Sequence, residues 1–127
     1  MGKEWVVLVV DDEEIMRRLM KQYLERMGIR QILLAENGEE ALGILAKEKV
    51  DLIISDWLMP KMDGLDLLKE VRANEDLKEI LFLMVTLVDQ KEQVVLAVRQ
   101  GIDEYLVKPL HFDFFSQKVK KLIAIQG

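Results

Sequence analysis

Apolar residues fall along the chain in two alternating rhythms. Runs at 5–10 (WVVLVV), 31–35 (QILLA), 51–55 (DLIIS), 80–86 (ILFLMVT) and 103–107 (DEYLV) predict strands. The first, third and fourth are nearly all apolar, which suits central parallel strands covered on both faces. Between them the spacing turns helical. Met16, Leu19, Met20, Tyr23, Leu24 and Met27 follow the i, i+3, i+4, i+7 rule of one buried face, and Gly28 ends that helix. Further helices are predicted over about 37–47, 65–73, 90–100 and 113–125. Five strands alternating with five helices imply an α/β sandwich with right-handed crossovers. The expected architecture is a flavodoxin-like (βα)5 fold with a five-stranded parallel sheet of order 2-1-3-4-5, in one domain over 1–127.

Composition narrows the class. Half of the 127 residues are hydrophobic and 32 % are charged, the mix of a soluble globular protein with a real core. No apolar run is long enough to span a bilayer, and the acids that follow WVVLVV make that segment a strand rather than a leader. The absence of cysteine removes disulfide, thiol and zinc-thiolate chemistry and agrees with a cytoplasmic location. A net charge of −5 argues against nucleic acid, whose phosphates call for a basic patch.

Chemistry enters at the strand ends. In an open parallel sheet, ligands bind outside the carboxyl ends of the strands, at the switch point in strand order, here between the first and third. Asp11 and Asp12 end the first strand, and Asp56 ends the third. Thr86 ends the fourth, and Lys108 ends the fifth just before Pro109. Three carboxylates held together repel one another, and a hard divalent cation such as Mg²⁺ removes the conflict. Asp56 could then act as a nucleophile and form an aspartyl phosphate. The metal, Lys108 and the Thr86 hydroxyl would steady the phosphoryl oxygens. Pro60 and the turn at Asp63-Gly64 would shape the loop after Asp56.

Each residue has an ordinary reading too. The acids at 11–14 suit a helix N-terminus, Asp56 a helix cap, Lys108 a surface turn, Thr86 a strand interior and Tyr105 half-buried sheet packing. His111 has no partner at metal or triad spacing. The methionines of the first helix suit a core. The set carries the functional reading, because every strand but the second ends in a residue this chemistry needs.

VLVVDDEE at 7–14, SDWLMPKMDG at 55–64, LMVT at 83–86 and DEYLVKPL at 103–110 resemble the receiver domain of two-component response regulators, above all its single-domain chemotaxis members. The resemblance covers essentially the whole chain. It implies that Asp56 is the phosphoacceptor. Asp12 and Asp56 would bind Mg²⁺ directly, Asp11 mostly through water, and the Leu58 carbonyl would complete the protein ligands, with Mn²⁺ able to substitute. It implies that Lys108 and Thr86 contact the phosphoryl group and that Thr86 and Tyr105 form a switch. The donor would be a histidine kinase or a histidine phosphotransfer domain. Three positions depart from the commonest pattern: Leu87 where a small residue is usual, and Leu58 and Val88 where the chemotaxis members have polar groups. All three are expected to tune rates rather than change the chemistry.

Rival classes fit less well. An aspartyl-phosphate hydrolase would want a second acid at Leu58, and a flavin site would want a phosphate cradle where Asp11 and Asp12 stand. A phosphorylation-independent adaptor would be expected to lose one of the key residues, and all are present. With the chain ending after the last helix, output is expected through a downstream target protein, without nucleic acid or membrane insertion. A receiver cut from a longer regulator stays open. The consecutive apolar residues at 94–98 exceed one buried stripe, so some face outward. Val94, Tyr105 and Phe114 are expected on a partner face formed by the fourth helix, fifth strand and last helix, in a monomer or weak dimer. Ile15, off the buried stripe and beside the acids, is expected to meet the phosphodonor.

Overall fold

In the computed structural model, residues 4–87 and 91–126 are described. Val88, and the residue at 90 where the fourth helix was expected to start, lie outside them. The order is β1 (Val6–Val10), α1 (Glu14–Arg26), β2 (Gln31–Ala35), α2 (Gly38–Leu45), β3 (Leu52–Asp56), α3 (Gly64–Ala73), β4 (Leu81–Thr86), α4 (Lys91–Gln100), β5 (Glu104–Val107) and α5 (Phe112–Gln126). The strands form one parallel sheet, β2-β1-β3-β4-β5. This is the flavodoxin-like order, with every expected element in place within a few residues.

Strand alternation splits the core into two layers. Val7, Val9, Leu52, Ile54, Leu83 and Val85 meet the stripes of α1 and α5, including Met20, Leu24, Phe115, Val119 and Leu122. Leu8, Val10, Ile53, Phe82 and Met84 meet Ala41 and Leu45 of α2, Leu67, Leu68 and Val71 of α3, and Ala97 of α4. The continuous apolar runs of β1, β3 and β4 follow from this double cover. Just past the end of α1, Gly28 takes a φ of 87° that lets the chain turn so that the Ile29 N–H donates to the Leu24 carbonyl.

Two ties locate the ends of the sheet. Tyr23 donates its hydroxyl to the Leu110 carbonyl at 3.0 Å and packs its ring on Phe112 and Phe115, so α1 holds the turn that follows Lys108. The Lys108–Pro109 peptide bond in that turn is cis. At the opposite end, Arg72 of α3 donates to the carbonyls of Gly101, Lys78 and Ile80 and pairs with Asp103 at 2.9 Å. The same Asp103 oxygen accepts the Phe82 N–H. One guanidinium thus joins α3, the approach to β4, the end of α4 and the start of β5.

Removing it would leave several carbonyls without this donor and the Asp103 carboxylate without its cation. Arg72→Ala is therefore expected to lower unfolding stability by about 2–4 kcal/mol. Urea denaturation checks this; a midpoint unchanged at constant slope would show that water replaces the tie without loss.

Candidate functional site

The site grows out of the strand ends. β1 stops at Val10, but the Asp11 N–H still donates to the Ala35 carbonyl at 3.1 Å, which carries Asp11 into the interior with no exposed surface. Its Oδ1 accepts the Glu13 N–H at 2.9 Å in a side-chain turn that leads into α1. Its Oδ2 is buried with no hydrogen-bond partner among the described residues. Asp56 closes β3 and is only 6 % exposed.

The loop after Asp56 doubles back at once. The Trp57 N–H donates to Val85 and the Gly64 N–H donates to the Trp57 carbonyl. A side chain at Gly64 would overlap the Asp56 carbonyl and approach the Met84 sulfur at 2.7 Å, so glycine is required by the close backbone approach. Met62 donates to the Pro60 carbonyl around Lys61, which takes a left-handed φ of 69°. Asp63 then caps α3 by accepting the Asp66 N–H.

These turns bring carboxylate oxygens of Asp11, Asp12 and Asp56 within 4.8 Å of one another. Lys108, whose backbone N–H donates to the Thr86 carbonyl, extends its Nζ to 3.4 Å from Asp56 Oδ1 and 3.8 Å from Asp11 Oδ2. Burial, reinforced by the Asp11 charge, pushes Asp56 from an ordinary 3.8 up to about 6, with Lys108 opposing. Burial also raises Asp11, against the Glu13 N–H and Lys108. Among the described residues one ammonium faces the three carboxylates, too little to neutralise them. All the donors are hard oxygens, and one is buried without a hydrogen bond, so the set fits a small divalent cation.

Above the acids lies a cavity of about 280 Å³ lined by Asp12, Glu13, Asp56, Leu58, Leu87 and Lys108. A larger hollow of about 400 Å³ at the other edge of the sheet, near Val50, Leu77 and Ile80, has acids but no comparable convergence, and its Asp51 already accepts the Val6 N–H.

The other expected residues take varied places. Leu87 stands at the cavity rim and is 69 % exposed. Thr86 is buried at the end of β4, and the register Met84↔Tyr105, Thr86↔Val107 puts Thr86 and the partly exposed Tyr105 on the same sheet face. Ile15 is 80 % exposed and Phe114 is 59 % exposed. Val94 is half-buried, on the helix side shared with Ala97, while Val95, Leu96 and Val98 carry the more exposed apolar surface of α4. In a run of five apolar residues the sequence alone does not phase the helix; Ala97 packing against the sheet layer does, and Val94 lies three residues before it.

Two features of the site went unread in the sequence. Glu13 lines the cavity and Arg17 donates to the Asp11 carbonyl at 2.8 Å. The signal available for Arg17 was a basic residue in the first turn of a helix that begins with acids.

The fold and site define a class: a doubly wound parallel sheet with an acid trio, two of its members buried, and a lysine at its switch point. Residues 7–120 match the family model described as response regulator receiver domain. The chain is 38 % identical to chemotaxis protein CheY-3 of Vibrio cholerae over 96 % of its own length and 94 % of that protein. It is 41 % identical to chemotaxis protein CheY1 of Helicobacter pylori, covering 93 % of this chain and 96 % of that one. Among solved structures, the response regulator TrrA of Thermotoga maritima in complex with Mg²⁺-BeF aligns with a TM-score of 0.82 at 38 % identity, over 93 % of this chain and 98 % of that one. The chain belongs to the response regulator receiver domain family, whose members are two-component signalling proteins that interact with histidine kinases and downstream targets. Among the described residues no helix is long and apolar enough to cross a membrane.

Because Asp56 ionises at higher pH in the folded state than in the unfolded one, the unfolded chain loses its proton first. The contribution of Asp56 to folding stability therefore falls as pH rises from about 4 to about 6 and stays lowered above that. Asp56→Asn removes the cost. In metal-free buffer the variant is expected to be more stable than wild type by on the order of 2 kcal/mol near pH 8, with the gap closing near pH 4. Thermal or urea unfolding at both pH values checks this, and a gap that widens on acidification would contradict it.

Proposed function

We propose that this receiver domain accepts a phosphoryl group on Asp56 from a phosphohistidine of a histidine kinase or histidine phosphotransfer domain. The observation that carries the reading is the Lys108 ammonium set 3.4 Å from Asp56 and 3.8 Å from Asp11, beneath a cavity open to a donor. Asp56 Oδ attacks phosphorus, the P–O bond forms, and the P–N bond breaks with its electron pair leaving on the imidazole. Asp11, Asp12, Asp56 and the Leu58 carbonyl would hold Mg²⁺, or Mn²⁺ in its place, which supplies neutralising charge to the phosphoryl oxygens. Lys108 offers them a fixed cation and Thr86 a hydroxyl donor.

The Thr86–Tyr105 pair then carries the change to a partner face on α4, β5 and α5, where Val95, Leu96, Val98, Tyr105 and Phe114 offer apolar surface. A downstream target protein, or a weak dimer of this chain, would cover that face, with no nucleic acid or membrane in the output. The domain over 1–127 would act as a unit, and the likeness to chemotaxis proteins makes chemotaxis the candidate pathway. Ile15, exposed beside the acids, meets the phosphodonor, and Leu87 narrows the entrance to Asp56. The domain promotes its own phosphorylation and dephosphorylation without being an enzyme in the ordinary sense.

Incubation with a small phosphodonor and Mg²⁺, followed by intact mass, tests the reading. Wild type is expected to gain one phosphoryl group, and both Asp56→Asn and chelator to abolish the gain. Full labelling of Asp56→Asn would refute Asp56 as the acceptor.

Leu58, and Val88 beyond the described residues, offer no hydrogen bond to an attacking water. Losing one orienting contact of that kind is worth on the order of tenfold in rate, about 1.4 kcal/mol of barrier. The phosphorylated form is therefore expected to be long-lived, and a Leu58→Asn, Val88→Glu double variant to decay about tenfold faster. Timed mass measurement after donor removal decides it; an equal or longer lifetime in the variant contradicts the assignment.

A further inference from the structure

We propose that Arg17 is a positioning residue for the metal site, acting through the Asp11–Asp12 peptide rather than through its charge. The inference rests on the receiver reading above and assigns a task to a residue outside the acid trio.

Asp12 is the exposed member of that trio, and among the described residues no hydrogen bond holds its carboxylate. Its place depends on the backbone that delivers it. That backbone is not secured by the start of α1, because Glu13 at the N-cap makes no side-chain capping hydrogen bond. It is held from two other directions. The Asp11 carboxylate fixes the Glu13 N–H, and the Asp11 carbonyl accepts from Arg17 Nη1 at 2.8 Å. The carbonyl of residue 11 and the N–H of residue 12 share one rigid peptide plane, so the guanidinium that holds the first also orients the second. From that plane the Asp12 side chain departs.

Arg17 is well suited to this. Its own N–H donates to the Glu13 carbonyl in the first turn of α1, which roots the side chain one turn below the loop. Its side chain is only 13 % exposed, so the bond forms with little competition from water. The second arm of the fork lies 3.6 Å from Glu36 Oε1, in the segment after β2, a longer contact with an exposed partner. The carbonyl bond is therefore the one expected to matter. Partners that orient metal-binding groups from outside commonly govern affinity about as strongly as tenfold or more.

The sign of the effect separates positioning from electrostatics. A cation near three carboxylates repels a second cation, so deleting only a charge would tighten Mg²⁺ binding. Loss of positioning weakens it. Calorimetric titration of Mg²⁺ into the unphosphorylated full chain reads this directly, with circular dichroism as a check on folding. Arg17→Met is expected to weaken Mg²⁺ binding about tenfold, and Arg17→Lys, which keeps the charge and one donor on a different stem, by an intermediate factor. Glu36→Gln is expected to stay within about twofold. Unchanged or tighter binding in Arg17→Met would overturn the proposal, as would a loss in Glu36→Gln equal to that in Arg17→Met. Should Arg17→Met not fold, wild-type affinity in Arg17→Lys would overturn it. Failure of wild type itself to bind Mg²⁺ would overturn the metal reading and this one with it, whereas intact wild-type binding with an indifferent Arg17 defeats this one alone.

Discussion

Burying like charges at the edge of a sheet is the constraint around which this molecule is arranged. Asp11 and Asp56 are almost wholly withdrawn from water, Asp12 stands beside them, and among the described residues one lysine, Lys108, faces the group. Left in a pliable loop, such carboxylates would swing apart and hydrate. They stay because each is tied to something rigid. Asp11 prolongs a ladder with β2, Asp56 is the last residue of the innermost strand pair, and the loop behind it is pressed so close that only glycine fits at position 64. The two apolar layers supply the stiffness that keeps repelling groups in place.

The two ends of the sheet are treated differently. At the amino ends, polar groups are spent on one another: Asp51 takes the Val6 N–H, Asp103 takes the Phe82 N–H, and Arg72 gathers three carbonyls. At the carboxyl ends, a buried oxygen of Asp11 accepts no hydrogen bond among the described residues and the lysine distances are those of loose ion pairs. Stability is gathered at one end, and unspent bonding capacity is kept at the other for what binds there.

Most of the fold was legible because β1, β3 and β4 are covered on both faces and so write themselves as unbroken apolar runs. Once strand order is inferred, the acids at 11, 12 and 56 must meet at the switch point, so the trio was legible as well. What stayed hidden depends on three-dimensional fit. The phase of α4 is set by Ala97 against the sheet, and five successive apolar residues conceal it, so the sequence does not say that Val95, Leu96 and Val98 are more exposed than Val94. Arg17 bonds a backbone carbonyl, and a carbonyl has no letter in the sequence. Gly64 was visible as a turn residue, but its need to sit against the Asp56 carbonyl was not.

The same energy that makes the metal-free site costly is what the site has available to act with. A ligand bound only by the folded state stabilises it, and one that neutralises buried repelling carboxylates does so most where the repulsion is largest. A phosphoryl group on Asp56 would exchange a carboxylate beside Lys108 for a larger, more negative group reaching towards the end of β4. Thr86 ends that strand, and Tyr105 shares its sheet face two residues before Val107, the residue paired with Thr86. Any rearrangement that lets Thr86 follow the new charge must therefore be accommodated on the face where Tyr105 and the outward side of α4 meet solvent. On the proposed function, the electrostatic conflict at one edge of the sheet and the apolar surface at its flank would form one device, joined by a single strand register.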